Sequence, residues 1–236
     1  LGSCTLVGAG PGDPELLTLK AVKAIQSATV LFVDDLVNEA IVAHAAPSAR
    51  IVHVGKRGGC KSTPQAFIEK LMITAVREGH RVVRLKGGDP FIFGRGGEEV
   101  EHLQQAGIQV EVINGITSGL AAVTSLGVPL THRDHAHGVL FLTGHAKPGE
   151  QGPDWPTISA TAYAAKLTLV IYMGVKTARD IADKLMADGL SPDMPVAVIE
   201  NGARPNMRVL RGLLAGLPDL VEHESVTSPA LIVIGE

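Results

Sequence analysis

The residues best equipped for chemistry stand in one sixteen-residue stretch, Arg84-Leu85-Lys86-Gly87-Gly88-Asp89-Pro90-Phe91-Ile92-Phe93-Gly94-Arg95-Gly96-Gly97-Glu98-Glu99. It follows the apolar run Val82–Leu85, which reads as a short buried strand. Glycine and proline disfavour a helix interior, and Pro90 has no N–H for a central strand. What remains is a loop at the carboxyl end of a strand, where backbone can approach a ligand closely and where open α/β sheets bind their ligands. An ordinary tight connection would also hold a Gly-Gly-Asp-Pro, but it would not need Arg95, Glu98 and Glu99 among the glycines.

Other groups fall on the same kind of edge. Thr29 to Val33 reads as a strand that ends in Asp34-Asp35, carboxylates that either face a ligand or cap the next turn. Ile51 to Val54 runs into Gly55-Lys56-Arg57-Gly58-Gly59-Cys60-Lys61, either an anion-receiving loop or a solvated basic one. Cys4 to Val7 runs into Gly8-Ala9-Gly10-Pro11-Gly12-Asp13-Pro14-Glu15. That loop lacks the third-glycine spacing of a dinucleotide fingerprint and the Gly-Lys-Ser/Thr of a phosphate loop, so a close-packed cofactor without phosphate fits it better. His132-Arg133-Asp134-His135-Ala136-His137 places two imidazoles at i, i+2 but has no second cluster of ligands, so no metal is expected.

The elements that position these loops follow from their flanks. Asp13 as a cap with Pro14 behind it predicts a helix running through Leu16, Leu17, Leu19, Val22 and Ile25. Thr63-Pro64 predicts a second helix ending at Gly79, Gly96–Gln105 a third stopped by Gly107, and the stretch opened by Asn114-Gly115-Ile116-Thr117-Ser118 a fourth reaching Leu126. With a strand at Gln109–Ile113, five strands alternate with helices, which predicts a mostly parallel sheet. Gly127-Val128-Pro129-Leu130-Thr131 is the expected linker, dividing the chain into 1–130 and 131–236. Beyond it strands are expected at 139–142, 167–172, 195–199, 208–210 and 230–234, with helices at 177–187 and 213–222. Gly149–Pro156 reads as a polar surface loop.

Composition narrows the function classes. A chain of 236 residues with 45% hydrophobic residues builds a real core. A formal net charge of −3 and 3% aromatic residues argue against a nucleic-acid binder. No apolar run reaches the roughly 18 residues of a membrane span, and neither the start of the chain nor its two cysteines suggest export, so a cytoplasmic protein with reduced thiols is expected.

Taken together, Gly8–Lys20, Val54-Gly-Lys-Arg57, the Arg84–Glu99 loop, Gly115-Ile-Thr-Ser118, Pro129-Leu-Thr-His-Arg-Asp134, Tyr172-Met-Gly174, Glu200-Asn-Gly202 and Ser228–Gly235 resemble, over essentially the whole chain, the uroporphyrinogen-III C-methyltransferase group of S-adenosylmethionine-dependent tetrapyrrole methyltransferases. The resemblance implies two α/β domains with mostly parallel or mixed sheets, a trough between them, and a homodimer. It implies S-adenosylmethionine as cofactor, S-adenosylhomocysteine as its product, and methylation of uroporphyrinogen III at two ring carbons to give precorrin-2. By the same resemblance Pro11, Gly87, Gly88, Asp89, Ile92, Thr117, Ser118, Tyr172, Met173 and Gly202 contact the cofactor. Asp34 takes the role of proton acceptor and Lys56 that of donor, while Arg95, Glu98 and Arg133 hold and activate the substrate.

The chemistry agrees with that implication. Methyl transfer to carbon is an in-line displacement whose catalysis comes largely from positioning. The methylated ring is a cation that must lose a proton, which a carboxylate such as Asp34 or Glu98 can stabilise and accept. A polycarboxylate substrate needs a local basic trough, for which Arg95, Arg133, Lys56 and Arg57 are available. The chain departs from the common pattern at Val33 and at Asp35, and its 147–166 segment is longer than the resemblance leads one to expect. Two readings compete: a sister enzyme such as another precorrin or a diphthine-type methyltransferase, and a cofactor-binding module without catalysis.

Overall fold

The computed structural model describes residues 2–55 and 63–236. The chain is α/β and forms two compact units, Leu1–Thr117 and Ser118–Glu236. In the first, strands β1 (Ser3–Gly8), β2 (Val30–Val33), β3 (Arg50–His53), β4 (Arg81–Lys86) and β5 (Val110–Ile113) form a sheet of order β3-β2-β4-β1-β5. Every pairing is parallel. All five carboxyl ends therefore lie along one edge, and the inner strands β1, β2 and β4 are buried along most of their length because helices cover both faces. Side chains alternate across the sheet: Val7, Leu31, Val83 and Leu85 pack with Ala21, Ile25 and Ile41 on one side. Leu6, Val30, Phe32 and Val82 pack with Ile68, Met72 and Leu103 on the other. Each fully buried side chain of this size contributes about 1.5–3 kcal/mol.

The helices of this unit are α1 (Leu19–Ser27), α2 (Glu39–Val42), α3 (Gln65–Arg77) and α4 (Gly96–Gln105). The helix expected to run unbroken from Pro14 is interrupted. Pro14–Leu16 is a single 3-10 turn, Leu17 is extended, and α1 begins only where the Thr18 hydroxyl accepts from Ala21 N at 3.0 Å. Two start signals follow each other here, and the second wins because it opens the longer helix; Leu19 is left 81% exposed. In α3, Pro64 rather than Thr63 occupies the cap and gives no side-chain hydrogen bond. Gly79 and Gly107 end α3 and α4 with φ of +91° and +80°, as their residue type predicts.

The second unit holds β6 (Gly138–Thr143), β7 (Leu167–Tyr172), β8 (Pro195–Glu200), β9 (Arg208–Leu213) and β10 (Ala230–Ile234) in the order β6-β7-β10-β8-β9. Only β6 and β7 run parallel; the other pairs are antiparallel. Helices α6 (Trp155–Ala165), α7 (Ala178–Ala187) and α8 (Leu217–His223) supply one face, with Trp155, Ile181, Leu185 and Leu217 in its core. Helix α5 (Ser118–Ser125) lies on the other, where Ala122 and Val123 join Val170, Ile199 and Leu231. That packing moves the division between units to Thr117/Ser118, ahead of the Gly127–Thr131 linker expected from sequence.

Two further segments differ from expectation. Leu213 is the last residue of β9, paired with Pro195, and a 3-10 turn over Leu214–Gly216 follows it; α8 begins only at Leu217, with Pro218 in its first turn. The stretch Gly149–Pro156, expected to be loop throughout, contains the start of α6. Asp154 caps it through Thr157 N at 3.1 Å, Pro156 sits in the first turn, and Trp155 is buried. The 147–166 segment thus supplies a helix that covers the sheet.

Candidate active site

In the first unit the loops after β1 and β4 are stitched together through backbone, and a side chain adds the loop after β5. Ala9 N donates to Lys86 O at 2.7 Å, Gly10 N to Gly88 O at 3.1 Å, and Gly88 N to Gly10 O at 2.8 Å. Gly10 and Gly88 adopt φ of +72° and +65°, which glycine reaches without steric cost. Asp89 ties in the third loop: its carboxylate accepts from Phe91 N at 2.9 Å, Gly115 N at 3.2 Å and Asn114 Nδ2 at 3.3 Å. The Asp89 side chain therefore orders the loops. Pro11 and Thr117 are buried on this edge, and a Cβ on Gly88 would lie 3.6 Å from Thr117 Cα. Leu36 packs over Gly87, and Phe91, Ile92 and Phe93 stand exposed.

The charged groups form two sets. Arg84, in the middle of the apolar run of β4, donates from Nη2 to Asp34 Oδ1 at 2.6 Å and from Nε to Glu99 Oε2 at 3.0 Å. Lys86 Nζ bonds the other oxygen of Glu99. Burial opposes the Arg84 charge, yet Asp34 and Glu99 outweigh it and raise its pKa above the ordinary arginine value. Cys4 is buried nearby; burial first and Glu99 second push its thiol up to about 12, so it is inert at neutral pH. The second set is exposed: Arg95, the cap of α4 at φ +57°, grips Glu98 Oε2 from Nε at 3.1 Å and from Nη2 at 2.8 Å.

Of the adjacent carboxylates Asp34 and Asp35, Asp34 is the one held by buried Arg84. Asp35 folds back on the end of β3, its Oδ1 2.0 Å from where a Cβ on Gly55 would stand. Lys56, with Arg57 and Cys60, lies outside the described residues. Sequence reasoning missed Arg84 and Lys86. The available signal was two basic residues at i, i+2 inside an otherwise apolar strand, which share a face and cannot remain buried without counter-charges.

In the second unit α5 opens at Ser118, and Gly119 N donates to the Tyr172 hydroxyl at 2.9 Å. Gly144 N donates to Tyr172 O at 2.7 Å, and the next residue, Met173, is half-exposed at φ +56°. Gly202 sits between Asn201 and Ala203, both at positive φ, and a Cβ on it would stand 2.5 Å from Ala122 Cβ. Thr227 N, together with Arg208, bonds the Glu200 carboxylate just before this turn and holds its pKa below the usual carboxylate value. Arg133 is exposed within the turn closed by His132 N to Ala136 O at 2.8 Å. Among the described residues no group of three or more side chains could hold a metal ion, and no helix is long and apolar enough to cross a membrane.

A parallel α/β unit with glycine-stitched strand ends, followed by a mixed α/β unit, defines a two-sheet α/β protein with a loop-built ligand edge. The chain belongs to the tetrapyrrole (corrin/porphyrin) methylases, whose family model matches residues 3–218. It is 52% identical over 235 residues to a uroporphyrinogen-III C-methyltransferase of Pseudomonas aeruginosa, covering 100% of this chain and 94% of that protein. It is 48% identical to a siroheme synthase of Aeromonas hydrophila over 99% of this chain, which spans 49% of that relative. Among solved structures, the Thermus thermophilus uroporphyrin-III C-methyl transferase complexed with S-adenyl homocysteine superimposes with a TM-score of 0.83 at 40% identity, covering 99% of this chain and 92% of that one.

Proposed function

We propose that this chain transfers two methyl groups from S-adenosylmethionine to ring carbons of uroporphyrinogen III, giving precorrin-2. The observation that carries the reading is the strand-end edge of the first unit, where Gly10 and Gly88 interlock and Asp34 is held by Arg84. Likeness to the Pseudomonas aeruginosa enzyme along the whole chain supports the choice of substrate. The glycine loops fit the cofactor in kind, because positive φ at Gly10 and Gly88 leaves backbone without side chains at the ligand edge.

When bound, S-adenosylmethionine supplies an electrophilic methyl group. The remaining work falls to the chain. By the resemblance Pro11, Gly87, Gly88, Asp89, Ile92, Thr117, Ser118, Tyr172, Met173 and Gly202 hold the cofactor. Asp89 does so by fixing the loops, and Tyr172 by fixing the start of α5. Arg95 and Arg133 receive substrate carboxylates, with Glu98 orienting Arg95. Arg84 binds Asp34 through Oδ1, and the Asp34 carboxylate accepts the proton that the methylated ring loses. Lys56 is the proposed donor.

The same reading makes the protein a cytoplasmic homodimer on a route to siroheme, cobalamin or d-type heme, and relatives named siroheme synthase support the first branch. The decisive experiment is anaerobic incubation with S-adenosylmethionine and uroporphyrinogen III, followed by mass spectrometry of the tetrapyrrole. A gain of two methyl groups is expected. Unchanged tetrapyrrole beside bound cofactor would transfer the assignment to a sister methyltransferase.

A further inference from the structure

Arg84, Lys86 and Glu99 are 2%, 4% and 0% exposed, and together with Asp34 they form a charge-balanced group. Buried ion pairs are poor devices for stability alone, because desolvation offsets their attraction and apolar replacements are often as stable. What this group does have is reach. Asp34 follows β2, whereas Glu99 lies in the first turn of α4, its N–H bonded to Arg95 O at 3.2 Å. Lys86 ends β4 under the long loop, its Cε 3.4 Å from where a Cβ on Gly94 would stand.

We infer that Arg84 is a positioning residue: one guanidinium holds the Asp34 carboxylate and the start of α4, with its Arg95–Glu98 pair, in a fixed mutual geometry. The inference rests on the methyltransferase reading of Asp34 and Arg95. An arginine is required because its rigid fork serves two carboxylates in different directions through Nη2 and Nε, with Nη1 directed at Phe32 O at 3.4 Å. A lysine keeps the charge but presents a single nitrogen.

The test is a double-mutant cycle on methylation of uroporphyrinogen III, read by product accumulation over long incubations so that low turnover is measurable. Arg84→Lys is expected to lower kcat about 100-fold, the scale of a small misplacement of reacting groups. S-adenosylhomocysteine affinity should stay within about twofold, whereas substrate KM should rise as the start of α4 and Arg95 shift, so that kcat reports on Asp34 and KM on Arg95. In an Asp34→Asn background Arg84→Lys should lower kcat much less, because the group it positions is already lost. Wild-type kcat in Arg84→Lys, or an equal loss with and without Asp34, overturns the inference. Should Arg84→Lys not fold, Glu99→Gln replaces it: it keeps the shape, weakens the Nε anchor, and must show the same non-additivity. Wild-type protein that never methylates uroporphyrinogen III overturns the functional reading and this inference with it, whereas wild-type turnover with additive losses overturns this inference alone.

Discussion

Gly8 and Gly115 approach so closely that a Cβ on Gly8 would stand 2.4 Å from the Gly115 nitrogen. One on Gly115 would meet Gly88 O at 2.1 Å. Both neighbours are backbone and cannot swing away as a side chain could, so the ends of β1, β4 and β5 are locked by the absence of side chains. Gly115→Ala is therefore expected to destabilise by about 1–3 kcal/mol or more and to weaken S-adenosylhomocysteine binding. Gly97 is the contrasting case: it lies in α4 with nothing within 4 Å of its would-be Cβ. Gly97→Ala should stabilise by roughly 0.5–1 kcal/mol. Urea unfolding of the two variants checks both, and equal midpoints would remove the packing argument.

Arg95 and Glu98 pair on the surface, with side chains 59% and 50% exposed. Such a pair contributes about 0–1 kcal/mol, and Arg95 adopts φ +57°, a conformation that costs a non-glycine residue roughly 1–2 kcal/mol. A residue kept there against its backbone preference points to a role outside the fold. Arg95→Ala should leave the unfolding midpoint nearly unchanged and Arg95→Gly should raise it. Both should lose turnover while calorimetry finds S-adenosylhomocysteine affinity intact. Normal turnover with weakened cofactor affinity would reverse the role assigned to Arg95.

The strands and loops of this fold were legible because their signals are local: apolar runs, glycine stops and cap-plus-proline starts. Sheet order was not, since nothing in the run Val30–Val33 says that its neighbours are β3 and β4. The start of α1 was misread because Asp13-Pro14 and Thr18 each announce a helix and only packing chooses between them. Residues 84 and 86 were passed over for a different reason. Asp34 lies on another strand end, and Glu99, though in the same stretch, sits in a helix beyond a loop whose path the sequence does not give, so the ion group exists only in three dimensions.

Tyr172, expected to contact the cofactor, has its hydroxyl accepting from Gly119 N, an N–H at the start of α5 that has no partner within its own helix. Tyr172→Phe should therefore destabilise the second unit by about 1 kcal/mol and speed amide exchange at Gly119. Affinity for S-adenosylhomocysteine should fall only together with that faster exchange, because the hydroxyl acts through the start of α5. If affinity falls while exchange at Gly119 is unchanged, the hydroxyl serves the ligand and the capping role is wrong.

Cys4 gives the fold a defined weakness in alkali. Its folded pKa is raised to about 12 by burial and by Glu99, with Arg84 opposing, against about 8.5 for an ordinary thiol. Above the ordinary value the unfolded thiol ionises while the folded one keeps its proton, so the unfolded state binds fewer protons and stability falls as pH rises. The contribution is complete below about pH 8.5 and declines by up to roughly 1.4 kcal/mol per pH unit until the folded thiol titrates. Comparing urea unfolding of wild type and Cys4→Ala from about pH 8 to 10.5 isolates this group, since other titrations are common to both. Wild type should lose stability more steeply. In a Cys60→Ser variant, where Cys4 is the only thiol, alkylation by iodoacetamide should be far slower than after unfolding at the same pH. Parallel pH curves together with fast alkylation of the folded protein would show that the thiol is neither buried nor held neutral.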